Sequence, residues 1–194
     1  MKPGWSRFRV HSRPELSPQN VVGLIQTYLR EFLHGELPNA IHGSFRIQSC
    51  GSLTSQTLRD IAASAVEQEL DRSGDTNVQS LQIHQLVDLS QPQSCTHGEF
   101  CYNLHIVLDL DTEQIPKIKD FLEMAHDHVM RMSQRLSYRL LQATILPHHL
   151  DLALGGPIDV SPGDIALTYM NGLADACQCR PVFCFRVYIG TLDE

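Results

Sequence analysis

The chain has 194 residues, 42% hydrophobic and 19% charged, which supplies a folded core and excludes a disordered chain. The formal net charge is −7, from 15 Lys+Arg against 22 Asp+Glu. That balance argues against nucleic-acid binding, because phosphate neutralisation needs a basic face.

Residues 1–16 read as a basic N-terminal arm or an edge strand. Lys2, Arg7, Arg9 and Arg13 come without an acid among them, and Arg7, Arg9 and His11 alternate with Phe8 and Val10. Residues 17–194 read as a single α+β domain. Ser17 suits a helix N-cap and Pro18 a first helical position. Val21, Val22, Ile25, Tyr28, Leu29 and Phe32 then recur at helical spacing over 18–34. A strand is predicted over 42–50, where Phe45, Ile47 and Ser49 alternate with Arg46, Gln48 and Cys50. A helix over 54–72 follows, with Leu58, Ile61, Ala62, Ala65 and Leu70 as its buried stripe.

A second strand is predicted over 80–89. The clearest strand is 99–110, with Phe100, Tyr102, Leu104, Ile106, Leu108 and Leu110 on one face and Cys101, Asn103, His105, Val107 and Asp109 on the other. Thr112 caps a predicted helix over 113–142, whose stripe runs from Ile118 through Val129 to Leu136 and Leu140. An irregular stretch is expected over 147–163. His148, His149 and Asp151 fall there and read as solvated loop residues, with metal binding as the alternative. His126 and His128, two apart on the helix, point to different sides and cannot share a metal. A short helix is predicted over 162–176 and a last strand over 182–190.

The central order β-α-β-β-α-β is the pattern of the ferredoxin-like split βαβ fold, with both helices on one face of an antiparallel sheet. The first helix and the stretch before the last strand are then additions. In the spatial order fourth, first, third, second, the first strand ends where the third and fourth begin. Cys50, Cys101 and Cys184 should meet there, with Cys95, His97, Cys177 and Cys179 in loops at the same end. Thiolate and imidazole suit zinc, and a four-thiolate set suits an iron–sulfur cluster, so a thiolate-bound metal, zinc ahead of iron–sulfur, is one expectation. The spacings Cys95-x-His97-x3-Cys101 and Cys177-x-Cys179-x4-Cys184 contain no paired C-x2-C ribbon. The competing expectation is buried free thiols. A catalytic role for Cys50, before Gly51-Ser52 at a helix start, lacks an assignable base.

The polar sheet face carries Arg46, Gln48, His84, Asn103, His105, Arg186 and Tyr188 as a candidate binding face, interrupted by Leu86, Val107 and Val182. RNA-binding sheets of this topology place aromatics at central outward positions. Here Gln48, Asn103 and His105 stand there instead. Residues 1–14 lack the apolar core of a secretory signal, and no apolar run approaches the roughly 20 residues of a membrane span, so a cytoplasmic protein without membrane contact is expected. No nucleotide fingerprint, serine-hydrolase elbow, H-E-x-x-H or EF-hand occurs. The expected function is therefore a non-enzymatic binding or assembly module with a protein partner or itself, a dimer being the expected form. The alternative is a metal-binding or redox protein using the cysteines.

Overall fold

The computed structural model describes residues 8–33, 45–51, 54–73, 80–96, 98–110, 118–178 and 184–192. Within them the chain is mixed α+β, with four helices and two sheets. The elements are α1 (Pro18–Leu33), β1 (Phe45–Gln48), α2 (Ser55–Ser73), β2 (Leu81–His84), β3 (Gln93–Cys95) and β4 (Gly98–Cys101). Then come β5 (Asn103–Leu110), α3 (Ile118–Arg135), β6 (Arg139–Leu146), β7 (His149–Gly155), α4 (Pro162–Ala176) and β8 (Cys184–Thr191). Residues 8–13 carry no regular structure, and the edge-strand reading of the N-terminal arm otherwise falls on 1–7, outside the described residues.

Helices α1 and α4 begin where serine side chains cap them. The Ser17 hydroxyl accepts from the Asn20 N–H at 3.2 Å. Ser161 accepts from the Asp164 N–H at 3.1 Å and donates to its carboxylate at 2.7 Å, with Pro162 following it.

The large sheet has the order β2-β6-β7-β5-β8, with every neighbouring pair antiparallel. The small sheet has the order β1-β4-β3, with β1 parallel to β4. This corrects the expected strand order. The strand expected over 42–50 was to lie at the centre of the main sheet, and instead β1 belongs to the small one. The strand expected over 99–110 breaks at Tyr102 into β4 and β5, and each half serves a different sheet.

The larger correction concerns residues 136–155. The helix expected to reach residue 142 ends at Arg135. Ser137 takes a left-handed conformation, φ 56°. The Tyr138 N–H then donates to the Ser133 carbonyl at 2.9 Å and the Ser137 N–H to that of Gln134 at 3.3 Å. This is a Schellman stop built without glycine. The chain re-enters as β6, turns at Pro147-His148 and returns as β7, so the stretch expected to be irregular is a central hairpin of the large sheet. Leu140 faces Leu154 while Gln142 faces Ala153, so Leu141 is a bulge that breaks the strand period.

The strand phases of β5 hold. Leu104, Ile106 and Leu108 are fully buried together with Leu140, Ile145, Leu150, Leu152 and Leu154, beneath α3 and α4. The two helices touch each other where the Tyr169 hydroxyl meets the Ser133 hydroxyl at 2.9 Å. On the other face α2 sets Leu58 against Leu89, Ala153 and Leu192. The two sheets are joined at one corner. The Ser49 hydroxyl donates to the Leu192 carbonyl and accepts from the Asn103 N–H, each at 3.1 Å, and Thr191 donates to the Cys50 carbonyl at 2.8 Å.

Candidate functional site

Two features stand out, one on the sheet and one on α1. The first is built by alternation. Along β7, Leu150, Leu152 and Leu154 enter the core, which turns His149 and Asp151 to the opposite face, where β5 presents His105 and Asp109. Asp109 faces His149 directly, and Asp151 lies one step diagonally from His105. The four side chains form one chain. The His149 Nδ1 is 3.3 Å from the Asp109 carboxylate, and its Nε2 is 3.5 Å from Asp151 Oδ2. The His105 Nε2 and Asp151 Oδ1 are in direct hydrogen-bond contact.

The chain runs inward from a part-exposed end, His149 and Asp109 at 22% and 26%, to a buried end, His105 and Asp151 at 9% each. Burial works to lower the His149 pKa, but hydrogen bonding and charge from Asp151 and then Asp109 outweigh it, and the imidazole titrates above its ordinary value. Burial works to raise the Asp151 pKa, and its hydrogen bonds to His105 and His149 overcome it and hold the carboxyl below its ordinary value. Thr144, opposite Asp151 on β6, has a buried hydroxyl with no hydrogen-bond partner. Between this face and α2 lies an open groove of about 350 Å³, walled by His149 and by Thr57, Asp60, Ile61, Ser64, Ala65 and Gln68.

His149 and Asp151 had read as loop residues, and the structure places them on a central strand. The signal was present in the strict alternation of His149-Leu150-Asp151-Leu152-Ala153-Leu154.

The second feature is the apolar stripe of α1. Leu24, Tyr28 and Phe32 recur every four residues and are 49%, 69% and 84% exposed. Sequence periodicity located most of this stripe. It did not reveal that the stripe faces outward.

The expected cysteine neighbourhood forms only in part: Cys50 and Cys101 are neighbours at the end of the small sheet, where the Ser49 N–H donates to the Cys101 carbonyl at 2.8 Å, but Cys184 is not there. Cys101 ends β4, just before β5, whereas Cys184 faces Leu110 at the far end of β5. An eight-residue strand puts them roughly 20 Å or more apart. The cause is the exchange of strand partners, since β8 runs antiparallel beside β5 and begins where β5 ends. Cys95 pairs with Gly98 and shares the face of Phe100, against the main core. Cys101 points to the other side, where its thiol donates to the Ser90 carbonyl at 3.6 Å. Cys50 is exposed beside Gln48, and Cys177 caps α4 inside the core. His97 and Cys179 lie outside the described residues. Among the described residues no three His, Cys, Asp or Glu side chains are grouped to hold a metal ion.

The expected binding face also divides. Arg46 and Gln48 are exposed on the small sheet, and His84 is exposed on the edge strand β2. Asn103 is fully buried and donates to the Leu89 carbonyl at 3.0 Å, so it belongs to the corner between the sheets. His105 is buried in the His–Asp chain. Arg186 is paired in register with Asp109, and Tyr188, opposite Val107, is 54% exposed.

No protein-family model matches the chain, and no curated protein matches it. Among the described residues no helix is long and apolar enough to cross a membrane.

Proposed function

We propose that this protein is an assembly module that binds a second copy of itself through α1. The observation that carries the reading is the outward stripe Leu24, Tyr28 and Phe32. An amphipathic helix gains most of its stability by covering its apolar face. Each of these side chains is worth roughly 1.5–3 kcal/mol when taken fully out of water. Charge favours a copy as the partner. Arg30 and Glu31 are the helix's only charged residues, and its first turn carries no acid, so two antiparallel α1 helices meet without like-charge contact. Replacing Tyr28 and Phe32 by glutamate tests the reading, because both are exposed and the fold tolerates the change. The doubly substituted chain should be monomeric by light scattering where the native chain is not. Association unchanged by the double substitution would refute it.

We also read β5-α3-β6-β7-α4-β8 as a split βαββαβ unit of the ferredoxin-like kind, in different segments from those the sequence suggested. Its support is the order β8-β5-β7-β6, which is fourth, first, third, second within that unit, with antiparallel neighbours throughout. In this reading β2 extends the unit at one edge, and β1, β3, β4, α1 and α2 are additions. The topology does not determine activity, which is why the assignment of role rests on α1.

A further inference from the structure

Asp109, His149, Asp151 and His105 alternate acid and imidazole across the two strands at the centre of the large sheet. The donor count at His149 is decisive. Each of its ring nitrogens faces a carboxylate, Nδ1 that of Asp109 and Nε2 that of Asp151. A neutral imidazole has one N–H and can serve only one of them, while an imidazolium has two and serves both. Asp151 Oδ2 is buried with no hydrogen-bond partner and only the ion pair to His149 Nε2 at 3.5 Å, so a neutral His149 leaves that oxygen enclosed without compensation.

We propose that the Asp109–His149–Asp151–His105 chain is a proton-operated lock on strands β5 and β7, closed when His149 carries two ring protons and loosened when it carries one.

The surroundings leave His149 as the switch. From β6, Thr144 and Leu146 face Asp151 and His149 in register, and neither titrates. From β8, Tyr188 stands opposite Val107, Gly190 opposite His105, and Arg186 opposite Asp109 at the exposed end. From α2, Asp60 is the charged residue lining the groove beside His149, and its sign also favours the imidazolium. His105 keeps one contact in both states, because a single Nε2–H satisfies Asp151 Oδ1. The groove under α2 opens on the part-exposed end, so the proton exchanges with solvent there.

The direction follows from the raised His149 pKa. The added stability is fully present below the unfolded histidine value, about 6.5, and is lost as pH rises through the higher folded value. The experiment combines imidazole titration by NMR in the native chain with melting temperatures from pH 6 to 9, for the native chain and for His149→Gln. His149 should titrate above about 6.5, and the native melting temperature should fall as it does, on the order of 3 °C per unit of pKa displacement. His149→Gln should remove that fall. The proposal is overturned if His149 titrates at or below the ordinary value, if the native chain melts equally across the range, or if His149→Gln keeps the slope. Should that variant not fold, the NMR titration of the native chain decides alone.

Discussion

Asp151 and His105 meet from adjacent strands one register step apart, the carboxylate opposite Val107 and the imidazole opposite Ala153, both buried on the face away from α3 and α4. Removing the acid strands the imidazole. Asp151→Ala should lower the unfolding free energy by about 1–3 kcal/mol in chemical denaturation at neutral pH. The effect should diminish in acid. The depressed Asp151 pKa means that its contribution is present above the ordinary carboxyl value and is lost as pH falls through the lower folded value. An undiminished difference between native and variant chains at strongly acid pH would contradict this.

The alternation of β5 sets the cost of a charge. Ile106 is fully buried between Leu152 and Ile189, and Ile106→Asp should cost more than about 4 kcal/mol or prevent folding. On the sequence, His105 lies on the polar face of the sheet, where an acid would be tolerated. The structure reverses that expectation, because the new carboxylate would sit buried beside Asp151 as a like charge. The mild partner on the same face is Tyr188→Asp, half exposed, expected within about 1 kcal/mol of the native chain. Thermal melts of the three variants should rank Ile106→Asp lowest, His105→Asp next and Tyr188→Asp near native.

Ser137 occupies a left-handed position that glycine adopts without strain. Ser137→Gly should raise stability by up to about 1 kcal/mol in denaturant melts, because the Schellman stop already exists and only its strained residue changes. A loss of stability would mean that the Ser137 side chain holds the turn.

These residues also mark what could be read from the sequence. The α4 bounds, the N-cap at Ser17 and the buried phase of β5 were legible, because each rests on local chemistry or on a long regular period. The β6–β7 hairpin was not. Leu136 and Leu140 continued the helical stripe across a stop that has no glycine, and the bulge at Leu141 hid the strand period. Half of the His–Asp chain disappeared with that hairpin, since His149 and Asp151 gain meaning only when β7 is laid beside β5. Cys184 leaves the expected cysteine neighbourhood for the same reason. Its logic needed the strand of residues 42–50 in the main sheet, and that place belongs to segments read as helix and loop.

Thiol labelling separates the cysteines by burial. Cys50 is exposed, Cys95 part-buried, and Cys101 and Cys177 buried. With a water-soluble thiol reagent and peptide mapping, Cys50 should react at least about ten times faster than Cys101 or Cys177, because thiolate access limits the rate. Equal rates for Cys50 and Cys101 would contradict the packing of Cys101 beneath Ser90.

Sedimentation equilibrium of the native chain over a hundredfold range of concentration tests the central proposal most directly. The account predicts a mass that rises with concentration towards twice that of one chain. It also predicts that Tyr28→Glu combined with Phe32→Glu holds the mass at one chain, with an unchanged circular dichroism spectrum. A native chain that stays at the mass of one chain at every concentration would contradict self-association through α1.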